Sequence, residues 1–452
     1  MKPNKPPKSA RHAAIEVLYQ LDRTTLPLTQ LFEKVVGNAT LNSPDKHLCM
    51  KICYGVLRNR QFIEYVLNDL CKKPLTKMMP FSYHALCCGV FQLLFLDRMP
   101  PPAAINETVQ AAVSEGLPRQ VTGFINGVLR ECDRRHDAYL TKLENMGKHG
   151  FTNHPSWLTE RWTHHFGHEQ MTRICQINNQ EPTLQLRCCG TASSSQIISL
   201  ISQEGIVAIP GNYSDEAVIL PDYRGSVANL PGYSNGLFMV QDQAAQLATL
   251  LLAPFEENQR ILDCCAGSGG KTIHLTRLSL SQKSQISALE PAPHRYRQLS
   301  ENLQRTGTTN QVKTYLETIE RFGRSAKVLF DSVLVDAPCS GTGVIRRNPD
   351  IRWYRQLDSL YTYQKKQLTL LDQAASLLAP EGVLVYATCS LEPEENDQVV
   401  TMFLEKNRNF SLSDCTPCLP EPAHAFVTDG CFNPLPQEDI DGFFAARLQR
   451  NN

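Results

Sequence analysis

Arg260-Ile261-Leu262-Asp263-Cys264-Cys265-Ala266-Gly267-Ser268-Gly269-Gly270-Lys271-Thr272 is a short apolar run that breaks into a glycine-rich turn and leads into a helical stretch. Glycines let a backbone approach a ligand closely, and a helix N-terminus offers free N–H groups, so the stretch predicts a strand, a binding loop and a helix that hold a nucleotide-like ligand. The loop alone leaves the ligand open. A Walker A loop needs glycine where Cys265 stands, and the dinucleotide fingerprint Gly-x-Gly-x-x-Gly fails at Thr272.

Working outward, further β-rich runs alternate with helical ones: Ile286 to Glu290, Val312 to Leu316, Ser332 to Asp336, Val383 to Thr388 and Phe443 to Leu448, with a helix (Ala244 to Leu252) before the first. Strand alternating with helix at this spacing predicts a parallel sheet covered on both faces, whose ligands lie beyond the carboxyl ends of its strands. What each run ends in therefore matters. The second ends at Glu290, which suits a ribose diol. The fourth ends Asp336-Ala337-Pro338-Cys339-Ser340-Gly341-Thr342-Gly343, and the fifth Thr388-Cys389-Ser390. Two thiols are thus expected on the ligand-facing rim.

The N-terminal part reads differently. From Arg11 to about Arg135 the apolar residues keep helical spacing, as in Val121, Phe124, Ile125, Val128, Leu129 and Cys132, which predicts an all-helical domain. Polar residues from Asp137 to Asn153 read as a linker, and His154 to about Gly236 as a small α/β connector. The expected division is 1–140 helical, 141–236 linker and connector, 237–452 α/β; 452 residues, at about 150 per domain, agree with three.

A net charge of zero conceals a gradient: residues 1–60 hold ten Lys/Arg against four Asp/Glu, and residues 390–442 two against eleven. A basic N-terminal region suits a phosphate-bearing partner. No run reaches the roughly 18 to 20 apolar residues of a membrane span, so no membrane is expected. Sixteen scattered cysteines, without an apolar leader behind Lys2, Lys5 and Lys8, suggest reduced thiols in a cytoplasmic protein. The lone Cys415-x-x-Cys418 reads as a surface loop rather than a metal site, and no metal is expected.

Asp-Ala-Pro-Cys-Ser-Gly-Thr-Gly, Ala-Thr-Cys-Ser and Cys-Ala-Gly-Ser-Gly-Gly-Lys-Thr together resemble the motifs of the RNA 5-methylcytosine methyltransferases with two cysteines; Gln241-Asp242, Ile345 to Ile351 and Asp441-Gly442-Phe443-Phe444 extend the likeness. Cys53 to Arg58, Ile105 to Val109 and Phe124 to Arg130 resemble the RNA-binding domain of the NusB family. The resemblance implies a multidomain enzyme: a NusB-like helical domain, a small connector and a Rossmann-like, S-adenosylmethionine-dependent methyltransferase domain. Its implied substrate is cytosine C5 in small-subunit (16S) ribosomal RNA, and a monomer is expected.

The same resemblance assigns the nucleophile for cytosine C6 to Cys389, assistance in the later elimination to Cys339, and the partner of N3 to Asp336. That last role requires a protonated, buried carboxyl. It places S-adenosylmethionine against Cys265, Ala266, Gly267, Ser268, Gly269, Gly270 and Lys271, with Glu290 on the ribose, Glu317 near the adenine and Asp336 beside it. The chain departs from the family pattern at Gly267-Ser268, where Ala-Pro is usual, at Glu290 and Glu317, where Asp is usual, and at Cys189, where Asn is usual. Lys271 is a candidate to favour the thiolate. Arg346, Arg347, Arg352 and Arg355, interleaved with Trp353 and Tyr354, are expected to seat RNA. The competing readings are a P-loop phosphotransferase and a non-catalytic RNA-binding scaffold in ribosome assembly or transcription.

Overall fold

The computed structural model describes residues 7–37, 39, 41–146 and 150–451, so Lys2, Lys5 and Gly147-Lys148-His149 lie outside the described residues. The chain forms two compact units, one running to Glu181 and including Ile345–Arg355, the other comprising Pro182–Val344 and the chain from Gln356 onward.

The first unit carries helices α1 (Ala10–Leu21), α2 (Leu28–Gly37), α3 (Ser43–Arg58), α4 (Arg60–Leu70), α5 (Pro80–Phe95), α6 (Pro101–Ser114), α7 (Arg119–Arg134), α8 (His136–Met146) and α9 (Ser156–Asn179). α5 is apolar on nearly all sides because it is the central element, packed against α1, α3, α4, α6 and α7. Such crossings need small residues: a Cβ on Gly55 would stand 1.9 Å from the Phe91 ring, and one on Gly89 2.5 Å from Leu129. α7 buries Thr122, Ile125, Val128, Leu129 and Cys132 at helical spacing.

The segment expected to be a linker is structured over much of its length. α8 continues to Met146, with Tyr139 buried and its hydroxyl donating to Asp69 at 2.6 Å. Asn153 and His154 are pinned to α4: Asn153 N donates to Gln61 Oε1 (2.8 Å), and Gln61 Nε2 to the His154 carbonyl (2.7 Å). Tyr139, Leu140 and Leu143 pack on the helical core, an apolar signal that the polar composition masked.

The second unit begins with strand β1 (Leu184–Cys188), α10 (Ser194–Ser202), β2 (Ile209–Pro210), β3 (Ala217–Leu220) and β4 (Phe238–Val240), an antiparallel sheet in the order β2-β3-β1-β4. Next come α11 (Gln243–Leu250), β5 (Arg260–Asp263), α12 (Gly270–Leu278), β6 (Gln285–Leu289), α13 (Pro293–Arg305), β7 (Val312–Tyr315), α14 (Ile319–Ser325) and β8 (Phe330–Asp336). The short α15 (Ile351–Tyr354) belongs to the first unit. α16 (Leu357–Ser376), β9 (Leu378–Thr388), α17 (Asp397–Lys406), β10 (Phe410–Ser413), β11 (Val427–Thr428), β12 (Cys431–Phe432) and β13 (Phe444–Arg450) complete the chain.

The large sheet runs β11-β12-β13-β9-β8-β5-β6-β7, with β10 also paired to β13. β5 through β9 are parallel, as the alternating runs predicted. The sixth run departs from that prediction: β13 is antiparallel to β9, because it starts at the rim where β9 ends, Phe444 pairing with Thr388. Along β8, Leu334 faces one core cluster, whereas Val333 and Val335 face the other, the period of two that buries both faces. The strand order reverses between β5 and β8, and a crevice opens at such a switch point. Among the described residues no helix is long and apolar enough to cross a membrane.

Candidate active site

The loop after β5 is held from beneath by Asp263. Fully buried, it accepts from Thr272 Oγ1 at 2.7 Å and from Cys265 N at 3.3 Å, and burial pushes its carboxyl up to about 6. The turn takes left-handed conformations at Gly267 (φ +57°) and Gly269 (φ +92°), the second forming the N-cap of α12. Ala266 N donates to the Leu289 carbonyl (2.9 Å) and Asn302 Nδ2 to the Ser268 carbonyl (2.9 Å), so both ends of the turn are fastened to β6 and α13. The Gly267-Ser268 departure thus builds a closed turn.

Glu290, at the end of β6, is buried and accepts Gly267 N on one oxygen (3.0 Å) and Ala292 N on the other (2.7 Å). Each carboxylate oxygen has two lone pairs, so both can take one more donor, the requirement of a ribose diol. A Cβ built on Gly267 would meet nothing within 4 Å, so the loop backbone is open to a ligand there. This donor and acceptor set fits a nucleoside-bearing cofactor. Glu317, in the loop after β7, is half-buried, with Arg321 Nε 3.7 Å from its carboxylate.

At the end of β8, Asp336 Oδ2 accepts from Lys271 Nζ at 2.6 Å; Lys271 is buried, and its ammonium lies 5.2 Å from the centre of the Phe443 ring. Asp336 and Lys271 thus form an ion pair at the carboxyl end of β8. Lys271 is engaged by this carboxylate.

The two thiols meet. Cys339 Sγ and Cys389 Sγ are 3.3 Å apart, although 50 residues separate them in the chain. Three connections hold their loops: Ala337 N donates to the Ala387 carbonyl (2.8 Å), Gly343 N to the Cys389 carbonyl (3.0 Å), and Gly442 N to the Gly343 carbonyl (3.0 Å). A Cβ on Gly343 would sit 2.2 Å from the Gly442 carbonyl oxygen, so only glycine allows this approach. Its contact with Cys389, burial and the nearby Glu395 charge all push the Cys339 thiol up.

Glu395 carries a role that sequence reasoning missed. Fully buried, it accepts from Ser340 N (2.9 Å) and Gln367 Nε2 (3.1 Å) on Oε1, and from the hydroxyls of Ser390 (2.6 Å) and Ser340 on Oε2. One carboxylate thereby ties together the residues that follow both cysteines. Its signal was present as Glu394-Glu395-Asn396 just beyond the Cys389 motif, but a pair of acidic residues in sequence does not reveal which one turns inward.

Other expectations are corrected. Arg346 and Arg352 are buried in the first unit: Arg58 Nη2 donates to the Arg346 carbonyl (2.9 Å), and Arg352 donates to the carbonyls of Asn153 (3.0 Å) and Asn178 (2.7 Å) and to Asn179 Oδ1 (2.5 Å). Trp353 Nε1 donates to the Leu57 carbonyl at 2.7 Å. The Arg352 and Trp353 side chains thus hold the first unit together and, like the buried Arg346, present no open face to RNA, whereas Arg347, Tyr354 and Arg355 are half-buried. Cys189 is buried beside Arg187, 3.8 Å from Nη2. Cys415, expected in a surface loop, is fully buried in the sheet core, whereas Cys418 is half-buried.

Comparison with known proteins adds the following. Residues 249–449 match the family described as 16S rRNA methyltransferase RsmB/F, residues 8–134 the NusB family, and residues 154–225 the RsmF/B-like ferredoxin-like domain. Ribosomal RNA small subunit methyltransferase B of Proteus mirabilis is 34% identical over 446 residues, covering 97% of this chain and 98% of that protein. A Bacillus subtilis relative, named as the probable enzyme of that kind, is 30% identical over 449 residues, covering 98% and 99%. The crystal structure of PH0851 superposes with a TM-score of 0.78 over 100% of both chains at 22% identity, a likeness of fold.

Proposed function

The chain belongs to the 16S rRNA methyltransferase RsmB/F family, and we propose that it methylates C5 of a cytosine in small-subunit ribosomal RNA, with Cys389 bonded to C6 during the reaction. The observation that carries this reading is the 3.3 Å separation of Cys339 and Cys389, which lets two thiols reach one pyrimidine ring.

Cytosine C5 is a poor nucleophile until a group adds at C6. Cys389 Sγ supplies that group as the thiolate, its proton having passed to solvent water, and the electron pair pushed into the ring makes C5 nucleophilic. The Cys339 thiol, held protonated by burial and by Glu395, donates to the Cys389 sulfur and holds the thiolate in place. S-adenosylmethionine, when bound, supplies an electrophilic methyl group. After transfer a water beside Cys339 takes the C5 proton, the C6–S bond breaks with its electron pair going to sulfur, and Cys389 departs as the thiolate, steadied again by the Cys339 thiol. Negative charge builds toward N3 on addition, and Asp336 with its bonded Lys271 is the pair proposed to meet it: the ammonium gives its proton to the carboxylate, which passes it to N3.

For the cofactor we propose the loop Cys265 to Lys271, with Glu290 on the ribose hydroxyls, Glu317 toward the adenine and Asp336 at the inner end. Residues 1–140 would hold the RNA and 237–452 perform the chemistry. The base must leave its stack for both ring faces to be reached.

The test compares wild type, Cys339→Ala and Cys389→Ala with S-adenosylmethionine and small-subunit rRNA, scoring methyl incorporation and protein–RNA adducts on a denaturing gel. The expected result is an adduct that survives denaturation with Cys339→Ala, and neither adduct nor methylation with Cys389→Ala. Reversed behaviour exchanges the two roles, and full methylation by both variants removes the covalent route.

A further inference from the structure

The first unit contains a cavity of about 550 Å³ between the end of α1, one face of α4, the loop that follows it and the start of α5. Its polar lining is largely self-satisfied. Asp22 lies 3.2 Å from His84 Nε2 and 3.6 Å from Arg60 Nη1; Arg60 Nε donates to Glu64 Oε1 at 3.0 Å, and the Tyr83 hydroxyl donates to the same oxygen at 2.5 Å. Two inward carboxylates share the single Arg60 guanidinium, so this part of the lining carries no surplus positive charge, which disfavours a small anion as the occupant.

Two lining groups are not used in this way. The Arg23 guanidinium stacks 4.4 Å over the Tyr19 ring, and the exposed Asn68 side chain ends in an amide; neither has a hydrogen-bond or ion-pair partner among the described residues. Leu75 and Met78 supply apolar surface to the same cavity. The loop that bears them also carries Lys72, Lys73 and Lys77, all exposed and without an ion-pair partner among the described residues.

A concave site with an apolar wall, a free amide, a ring-stacked guanidinium and a lysine rim matches the chemistry of one nucleotide in a single strand. The base offers a flat apolar face and a hydrogen-bonding edge, while the flanking phosphates need cations. We propose that this cavity binds an unpaired nucleotide of the RNA substrate, the base against Asn68 and the Leu75/Met78 wall and the backbone along Arg23, Lys72, Lys73 and Lys77. The inference rests on the reading of the substrate as RNA. It adds a docking point within the helical unit, far from the proposed reacting thiols in sequence.

The experiment measures binding of the full chain to a labelled 12-nucleotide single-stranded RNA, without methyl donor, over a range of salt concentrations. Lys72→Glu/Lys73→Glu/Lys77→Glu is expected to weaken binding about tenfold or more and to flatten the log K against log salt slope by about 2, at ~0.7 per lost phosphate contact. Asn68→Ala is expected to weaken it about fivefold with the salt slope unchanged, because a base contact and not a phosphate contact is lost. Because the assay contains no methyl donor, a failure of the methylation chemistry is visible separately and leaves this result readable. The proposal is overturned if the lysine variant keeps wild-type affinity and slope, if wild type binds no RNA, or if a duplex of the same length binds equally well. It is also overturned if adenosine monophosphate occupies the cavity without competing with the RNA, which would assign it to a free nucleotide.

Discussion

Removing the Glu395 carboxylate should loosen the site without touching a reacting atom. Four donors converge on it: Ser340 N, Gln367 Nε2 and the two serine hydroxyls. In Glu395→Ala some can find other partners. The Ser340 and Ser390 hydroxyls are 3.1 Å apart and can bond each other, and Gln367 keeps the Pro338 carbonyl at 3.0 Å. The Ser340 backbone N–H loses its carboxylate acceptor, and a buried donor stripped of its acceptor costs about 1–3 kcal/mol. Adding the void left by the side chain, we expect about 2–4 kcal/mol in urea unfolding and a fall in methyl transfer of roughly a hundredfold, the order expected when reacting groups shift by about 1 Å. Glu395→Gln keeps an acceptor for Ser340 N and lets the hydroxyls turn to accept, so it should cost only about 1 kcal/mol. It does remove the charge that helps hold the Cys339 thiol up. Alkylation of the Cys339 peptide, followed by mass spectrometry across pH, should therefore show its midpoint move to lower pH in Glu395→Gln. Wild-type stability in Glu395→Ala, or an unmoved alkylation midpoint in Glu395→Gln, would refute the reasoning.

Gly343→Ala should be worse than its size suggests, about 3 kcal/mol in urea unfolding, because the new Cβ meets the Gly442 carbonyl oxygen at 2.2 Å and neither backbone can retreat without separating the cysteine loops. Arg352→Met strands two backbone carbonyls and Asn179 Oδ1; about 3 kcal/mol of lost stability with RNA affinity within threefold of wild type is expected, and a tenfold affinity loss at unchanged stability would return this arginine to the RNA face. Acid should weaken the second unit early. Burial and the neighbouring Arg187 hold His274 down to about 4, so the unfolded chain takes up this proton first, and stability fades as pH falls from about 6.5 toward 4, by up to about 3 kcal/mol. Burial would raise Glu216, but His274 and Arg277 outweigh it and bring it to about 2, so a further loss follows from about 4.5 downward. Urea midpoints from pH 7 to 3 for wild type and His274→Gln check both, since the variant should lack the first loss.

Much of this was legible in residue order, for stated reasons. The glycine loop after β5 and the thiols after β8 and β9 could be placed because alternating strands and helices force their carboxyl ends to one rim. Arg346 and Arg352 were misread because a cluster of arginines beside aromatics looks alike whether it faces solvent or caps buried carbonyls; burial alone distinguishes them. Cys415 was misread for the same reason. The antiparallel turn of β13 escaped because a strand's apolar pattern carries no direction.

The amino-acid order by itself determined the helical character of the N-terminal part, the alternation of strand and helix in the C-terminal part and the glycine and cysteine loops at the strand ends, since periodicity, glycine placement and motif spacing are local properties. Tertiary structure alone decided that Cys339 and Cys389 touch, that Lys271 is bound to Asp336, and that one buried carboxylate, Glu395, gathers both cysteine loops. Those are distances between residues far apart along the chain. Parallel strands set them side by side, and desolvation gives each contact a weight that no local pattern carries.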